Sequence, residues 1–308
     1  MVRRSPIKQR HIDCFLTIVR TGSIHAAAQQ LNLSQPALSR TLADLEEKLG
    51  TKVMDRSRTG VSLTQAGEVF LRYASAAAAA IEQGFEQVAL VRRDERPVVA
   101  VGALPNVQVK VMPRAVESFM HRNPGVLVRV LDGTNKQLMQ LLRLGEVDFV
   151  VGRLASPDDM LGLTFEPLYS EEIMAVVRPG HPALAIDEPA ALAAAMTAAI
   201  QILPNRGTII REGAEQLLLS AGARLSETVI ESLSTPYCRA TVQVSDAIWV
   251  SPRGVVDGDI RDGVLAQLPL DSAATRGWVG VTTRRGYPLS RHAQGLLGVV
   301  RQETGTIV

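Results

Sequence analysis

Cysteines and aromatic residues are scarce in this chain of 308 residues, which has two cysteines and 4% aromatic residues. Cys14 and Cys238 fall in different predicted domains, so we expect no structural disulfide, as suits a reducing cytosol. The amino terminus is charged but has no apolar run after it, which argues against a signal peptide. The alanine-rich segments 74–81 and 189–203 are too short or too polar to span a bilayer. These absences predict a cytoplasmic protein that does not enter a membrane.

Motifs for catalysis and cofactor binding are also absent. The five histidines show no metal-ligand spacing, and the chain contains no G-x-S-x-G, Walker or G-x-G-x-x-G motif. We therefore expect no enzyme activity, no metal and no cofactor. The length allows more than one domain. Although the net charge is only +2, residues 1–65 carry ten Lys/Arg against five Asp/Glu, and the remainder carries 23 against 26. A basic head on a mildly acidic body is typical of a nucleic-acid-binding module joined to another domain.

Residues 23–50 have the pattern of two helices joined by a tight turn. Ser34 is a good N-cap for the second helix, and Pro36 is tolerated in its first turn. Gly50 can adopt the left-handed conformation that ends a helix. A single apolar stripe is formed by Leu38, Leu42, Leu45 and Leu49.

The face of the second helix opposite the leucines carries Gln35, Ser39 and Arg40. Glutamine can pair with adenine and arginine with guanine, and the first residues of a recognition helix are the ones that meet the bases. The pattern therefore fits a helix-turn-helix that enters the DNA major groove. It also fits an ordinary amphipathic hairpin whose outer face is merely solvated.

A family resemblance distinguishes these two interpretations. The shared motifs are Phe15-Leu16, Gly22-Ser23, Ala26-Ala27-Ala28, Leu31, Ser34-Gln35-Pro36-Ala37-Leu38-Ser39-Arg40, Leu45-Glu46, Leu49-Gly50, Arg56 and Leu63-Thr64-x-Ala66-Gly67. They resemble the signature of LysR-type transcriptional regulators. The resemblance implies that DNA is contacted by Ser34, Gln35, Pro36, Ala37, Ser39 and Arg40. Two departures, Ile24 for an aromatic residue and Val53-Met54 for Leu-Phe, exchange apolar for apolar and should leave DNA binding intact.

Residues 52–64 are expected to form a short hairpin, the wing of a winged helix-turn-helix. Arg56 and Arg58 lie near its turn, where they would contact phosphates or enter the minor groove. The alternative is a solvated loop. With the helices before it, the wing completes a predicted all-α winged helix-turn-helix domain over residues 1–65.

A long helix is predicted from residue 66 to about residue 92, spanning roughly 40 Å at 1.5 Å per residue. Its near-heptad stripe comprises Phe70, Tyr73, Ala77, Ala80, Gly84, Val88 and Val91. The alternative is an alanine-rich helix lying on its own body. The resemblance implies a linker helix (66–93) that forms a homodimer, assembly into a homotetramer, and contact with RNA polymerase as well as with double-stranded DNA.

Strands and helices alternate through residues 94–308, which predicts parallel sheets with right-handed crossovers. We expect an effector-binding α/β domain of two subdomains, one at about 98–168 plus 272–308 and the other at about 169–271. This organisation resembles the effector domain of the LysR family, which is similar to periplasmic solute-binding proteins. A solute-binding protein without a DNA role is the rival interpretation. It would require an export signal and leave residues 1–92 without a use.

Ligands of open α/β sheets bind beyond the carboxyl ends of the strands, near helix N-termini that favour anions. The predicted effector-binding residues follow such strands and are Leu104, Pro105, Asn106, Gly133, Thr134, Pro204, Asn205, Arg206, Thr208 and Ser245. Arg206 is the candidate to clamp a carboxylate, because a guanidinium can bond it bidentately. It could equally be a surface charge or a tetramer contact, and Thr134 could be a plain helix cap.

The segment 244–252, VSDAIWVSP, stands where many LysR-type regulators have a glycine-rich stretch. Together with Arg253-Gly254-Val255-Val256, it resembles the subgroup that regulates protocatechuate catabolism or a galactose-binding protein. The first branch implies a di- or tricarboxylate from aromatic-ring cleavage as the inducer, and the second implies a sugar. Arg206 favours the acid.

Overall fold

The computed structural model describes residues 7–57, 60–92 and 96–305. The chain divides into two compact units, residues 1–97 with 140–147 and residues 98–139 with 148–308. Within the described residues, no helix combines the length and the apolar character needed to cross a membrane.

The first unit contains a helical bundle, a two-stranded hairpin and a long helix. Its elements are α1 (Gln9–Thr21), α2 (Ile24–Gln30), α3 (Gln35–Leu49), β1 (Met54–Ser57), β2 (Gly60–Leu63) and α4 (Gln65–Arg92). These elements match the sequence prediction to within one or two residues at their ends. The core contains Phe15, Leu38, Leu42 and Leu45, all at most 1% exposed. Phe15 meets Phe70 of α4 edge to face, with ring centroids 5.0 Å apart.

The turn between α2 and α3 has the predicted capping chemistry. Ser34 Oγ accepts a hydrogen bond from the backbone N–H of Ala37 at 3.3 Å. Asn32 adopts a positive φ of 54° in the turn, a conformation that asparagine tolerates better than most residues. Gly50 ends α3 with a φ of 70°. Local sequence alone therefore defines where α3 begins and ends.

Two motif residues, Glu46 and Gly67, attach the hairpin to the helices of the first unit. Glu46 Oε1 accepts hydrogen bonds from the backbone N–H groups of Val53 at 2.9 Å and Met54 at 3.3 Å. Gly67 lies so close to the chain before β1 that a Cβ at this position would be 2.0 Å from the Val53 carbonyl oxygen. The close approach of two backbones explains why glycine is needed there.

The second unit is built on two five-stranded sheets. The first sheet contains β3 (Val98–Ala103), β4 (Leu127–Leu131), β5 (Phe149–Arg153), β6 (Leu163–Glu171) and β12 (Gly277–Arg284), in the order β4-β3-β5-β12-β6. The second contains β7 (Ile173–Val177), β8 (Gln201–Leu203), β9 (Val229–Glu231), β10 (Ile248–Pro252) and β11 (Ala266–Gln267), in the order β11-β7-β10-β8-β9.

In each sheet four strands run in one direction and one strand, β12 in the first sheet and β7 in the second, runs in the opposite direction. Strand β3 runs parallel to β4 and β5, while β12 is antiparallel to β5 and β6. In the second sheet β8 is parallel to β9 and β10, while β7 is antiparallel to β10 and β11. The chain passes from the first sheet to the second between β6 and β7, and it returns between β11 and β12. We refer to residues 171–173, where β6 ends and β7 begins, as the first crossover and to residues 268–276 as the second crossover.

Helices cover both sheets. They are α5 (Pro105–Lys110), α6 (Met112–Arg122), α7 (Asn135–Leu144), α8 (Pro189–Ala198), α9 (Ile209–Ser220), α10 (Thr235–Val244), α11 (Arg253–Arg261) and α12 (Arg291–Gly305). Strand β6 and helices α5 and α11 were not predicted. Pro167 obscured β6, although proline is tolerated on an edge strand. Gly254 and Gly258 lowered the helix propensity of α11.

Candidate functional site

The face of α3 that was predicted to read DNA is open to solvent. Gln35, Pro36 and Arg40 are exposed, and Ala37 and Ser39 are half-buried. Of the two predicted wing residues, Arg56 lies on β1, but its side chain lies outside the described part of the structure, as does the whole of Arg58.

A buried histidine supports α3 from behind. His11, which is 0% exposed, lies on α1 with its Nε2 2.9 Å from Asp44 Oδ2 of α3. His11 Nδ1 accepts a hydrogen bond from the Lys8 backbone N–H at 3.1 Å. A hydrogen bond from Lys48 lowers the pKa of Asp44, so its carboxylate remains charged beside the imidazole. His11 is thus a structural residue of the helical bundle.

The second unit contains a cavity at the carboxyl ends of strands from both sheets. It has about 630 Å³ of empty space that opens to solvent. Seven of the predicted effector-binding residues line it, namely Leu104, Pro105, Asn106, Gly133, Thr134, Pro204 and Thr208. We call it the effector cavity. The loops that follow β3, β4 and β8 therefore converge, as parallel strands that end at one edge require.

Three predicted residues do not line the effector cavity. Arg206 is 80% exposed and donates from Nε to Glu231 Oε1 at 3.2 Å. Asn205, its neighbour, is also exposed. Ser245 follows the end of α10, where its hydroxyl donates to the Thr241 carbonyl at 2.6 Å. In this structure Arg206 is a surface ion-pair partner, because its loop directs it away from the strand ends.

Arg153, which sequence reasoning missed, is the one charged side chain among the described residues that line the cavity. It ends β5 and is only 9% exposed. Its Nη2 donates to the backbone carbonyls of Glu171 at 2.8 Å and Thr275 at 3.2 Å. Its Nε is buried and has no hydrogen-bond partner among the described residues. Burial lowers the pKa of Arg153, and the nearby charge of Glu171 opposes that shift.

Helix N-termini also surround the effector cavity. Lining residues occur at or just before the first turns of α7, α9, α10 and α11. Neither Thr208, the N-cap of α9, nor Ser234, the N-cap of α10, caps its helix with a side-chain hydrogen bond. Since the positive ends of helix dipoles favour anions, these four termini add to the field of Arg153.

Most of the surface that lines the cavity is apolar, although hydroxyl side chains such as Thr134, Thr208 and Ser232 also line it. Trp249, 4% exposed, forms part of the wall with Leu233, Ile210 and Val255. Cys238 also lines the cavity, and burial raises the pKa of its thiol. Among the described residues, no group of three His, Cys, Asp or Glu side chains could hold a metal ion. The arrangement suits a small anion with an apolar body.

Comparison with known proteins assigns both units. Residues 9–68 match the model of the bacterial regulatory helix-turn-helix protein, lysR family, and residues 92–305 match that of the LysR substrate binding domain. The chain belongs to the LysR family of transcriptional regulators. As such, this regulator binds DNA and a small-molecule effector, forms oligomers and is not an enzyme, as its sequence predicted.

Individual relatives agree over nearly the full length. The HTH-type transcriptional regulator PcaQ of Agrobacterium fabrum is 38% identical over 301 residues, covering 98% of this chain and 96% of PcaQ. This match supports the subgroup expected from residues 244–256. The crystal structure of ArgP from Mycobacterium tuberculosis aligns with a TM-score of 0.67 at 18% identity, covering 97% and 98% of the two chains. Full-length CbnR in complex with its target DNA aligns with a TM-score of 0.55 at 18% identity, covering 96% and 100%.

Proposed function

We propose that this regulator responds to a carboxylate of aromatic catabolism bound in the effector cavity, with Arg153 as its anchor. The observation that carries the proposal is the buried guanidinium of Arg153, whose Nε faces no partner among the described residues. A carboxylate would complete that hydrogen bonding and balance the charge. The resemblance of residues 244–256 to regulators of protocatechuate catabolism, which the similarity to PcaQ supports, favours the same class of ligand.

The apolar lining favours an acid over a sugar. A sugar presents several hydroxyl groups, each of which costs about 1–3 kcal/mol when it is buried without a partner. Trp249, Leu233 and Val255 cannot provide such partners, but they can cover a flat unsaturated body. Because Arg153 is the one cation among the described lining residues, the cavity fits a ligand with one anchored carboxylate better than a ligand with three carboxylates.

We further propose that Gln35, Ser39 and Arg40 contact base edges, with Ser34, Pro36 and Ala37 beside them, and that Arg56 and Arg58 contact the DNA backbone. The exposed side chains of Tyr73, Val69 and Ile81 on α4 support a homodimer through this helix. The regulator would act in the cytoplasm, where its operator and inducer meet.

The two tryptophans allow a direct test of the inducer class. Trp249 is in the cavity wall, whereas Trp278 is 56% exposed and is not part of the lining. A Trp278→Phe protein therefore reports on the cavity through Trp249 fluorescence. Benzoate, 3,4-dihydroxybenzoate, cis,cis-muconate and galactose would be titrated into it. We expect a saturable change with at least one acid and none with galactose, and the reverse result would contradict the proposal.

Arg153→Gln in the same protein tests the anchor. Because a hydrogen bond to a charged group contributes about 1.5–3 kcal/mol, we expect acid affinity to fall about 10- to 150-fold. Arg206→Gln is the matched control, and its affinity should stay within about twofold because an exposed ion pair contributes little. Thermal unfolding would establish that both variants fold. Equal losses in the two variants, or a loss confined to Arg206→Gln, would refute the role of Arg153.

A further inference from the structure

The two crossovers between the sheets are cross-linked beside the effector cavity. Thr275, in the second crossover, accepts a hydrogen bond from the backbone N–H of Ile173 in the first through its Oγ1 at 2.9 Å. Arg153 Nη2 donates to one carbonyl in each crossover, those of Glu171 and Thr275. Arg153, the cation in the described lining of the cavity, therefore bonds both connections between the two sheets.

Glu171, a residue that is 5% exposed, makes a second set of contacts through its side chain. It is not among the residues that line the cavity. Its Oε1 accepts from Asn106 Nδ2 at 2.5 Å, and its Oε2 accepts from the Gly254 backbone N–H at 3.0 Å. Asn106 lines the cavity and belongs to α5 over the first sheet, while Gly254 belongs to α11, which follows β10 of the second sheet. One buried carboxyl thus bonds both subdomains.

Space around this contact is minimal. A Cβ at Gly254 would lie 2.7 Å from Glu171 Oε2 and 3.0 Å from the Asn106 carbonyl oxygen. Since interiors so tightly packed are not continuously deformable, a displacement of Asn106 or Arg153 must be accommodated at Glu171, and through it at α11. Asn106 and Arg153, two residues of the cavity lining, therefore share Glu171 as a hydrogen-bond partner. We refer to the two crossovers together as the hinge.

We propose that Glu171 couples the occupant of the effector cavity to the relative position of the two subdomains, without touching that occupant. The proposal rests on the proposed function, in which the ligand carboxylate bonds Arg153. A ligand shifts a conformational equilibrium only by its differential affinity for the two states. Here that difference arises because Arg153 and Asn106 can form hydrogen bonds with the ligand and with Glu171 at the same time in only one relative position of the two subdomains. Glu171 is a positioning residue of the regulator.

Gly254→Ala tests the coupling from the side remote from the ligand, and Gly258→Ala is its matched control. Both glycines lie on α11, and both changes gain helix propensity, but a Cβ at Gly258 would have nothing within 4 Å. The variants are made in the Trp278→Phe background. The probe is the panel acid that changes Trp249 fluorescence most. Thermal unfolding verifies folding, and Glu171→Ala replaces Gly254→Ala if the latter does not fold.

We expect Gly254→Ala to bind the acid at least about fivefold more weakly, the lower end of allosteric couplings, and to lose the acid-dependent change in its DNA footprint. Its affinity for DNA without acid should stay within about twofold, as should all properties of Gly258→Ala. Without ligand, the Ile173 amide should exchange hydrogen about tenfold faster in Gly254→Ala. That amide donates to Thr275, and Arg153 bonds both Thr275 and Glu171, so a displacement of Glu171 reaches Thr275 through Arg153. A retained footprint response with parental acid affinity overturns the proposal.

The failure of the inducer class can be distinguished from the failure of this coupling. If none of the acids changes the parent's Trp249 fluorescence, the proposed inducer class is wrong, and hydrogen exchange alone then decides the role of Glu171. Equal Ile173 exchange in Gly254→Ala and Gly258→Ala would overturn it. Faster exchange confined to Gly254→Ala would support it.

Discussion

Replacing Arg40 with alanine should separate DNA recognition from folding. Arg40 is exposed on α3 and makes no hydrogen bond or ion pair with any residue that the structure describes. Its removal should therefore change the free energy of unfolding by no more than about 0.5 kcal/mol. Against the preferred operator, loss of a base contact should cost about 1–3 kcal/mol, or roughly 5- to 150-fold in affinity at 25 °C.

The assay is fluorescence anisotropy with two duplexes of equal length, an operator selected from random DNA by the parent protein and a scrambled sequence. If Arg40 contacts a base, operator affinity falls and scrambled affinity stays nearly constant. If Arg40 contacts a phosphate, both affinities fall and the salt dependence, as log K against log[salt], loses a slope of about 0.9. Arg291→Ala, which removes an exposed arginine from the start of α12, is the control. An operator affinity equal to that of Arg291→Ala would refute the assignment of α3 as the base-reading helix.

Two further predictions concern stability. Gly67→Ala should destabilise the protein by about 1–3 kcal/mol, because its Cβ would overlap the Val53 carbonyl. In a thermal melt Gly298→Ala on α12, whose Cβ meets nothing within 4 Å, should be neutral or stabilising, and equal melts would contradict this reasoning. Burial raises the pKa of Asp148, so its contribution to stability is present below the unfolded pKa and is lost as pH rises through the folded one. Asp148→Asn should therefore gain stability relative to the parent as pH rises above about 4 in denaturant titrations, and a pH-independent difference would contradict it.

The DNA-binding unit could be predicted because its signals are short-range. The Ser34 cap, the leucine spacing and Gly50 each act within one or two turns of the same helix. Even the longer contact between Gly67 and Val53 spans few residues, so that the family motif contains both sides of it. The pairing of His11 with Asp44 has no local signal, because it depends on the packing of α1 against α3.

The effector cavity could be predicted only as far as strand ends reveal it. The loops after β3, β4 and β8 were found because polar residues and proline follow apolar runs there. Arg153 was missed because it terminates such a run and reads as the polar end of a strand. Its burial depends on the carbonyls of Glu171 and of Thr275, which lies 122 residues away. Arg206 was chosen because its loop follows a strand and its guanidinium could bond a carboxylate, but its side chain is 80% exposed and pairs with Glu231 instead.

The energetics of Arg153 favour a functional reason for its position over a structural one. Withdrawing a guanidinium from water costs several kcal/mol, and two bonds from a single nitrogen to backbone carbonyls offset only part of that. A buried cation whose Nε has no partner among the described residues, in the lining of a cavity and joined to both crossovers, is the kind of local inconsistency found at binding sites. These features support the proposals that Arg153 recognises a ligand's charge in the effector cavity and that this recognition takes effect at the two crossovers that Arg153 bonds.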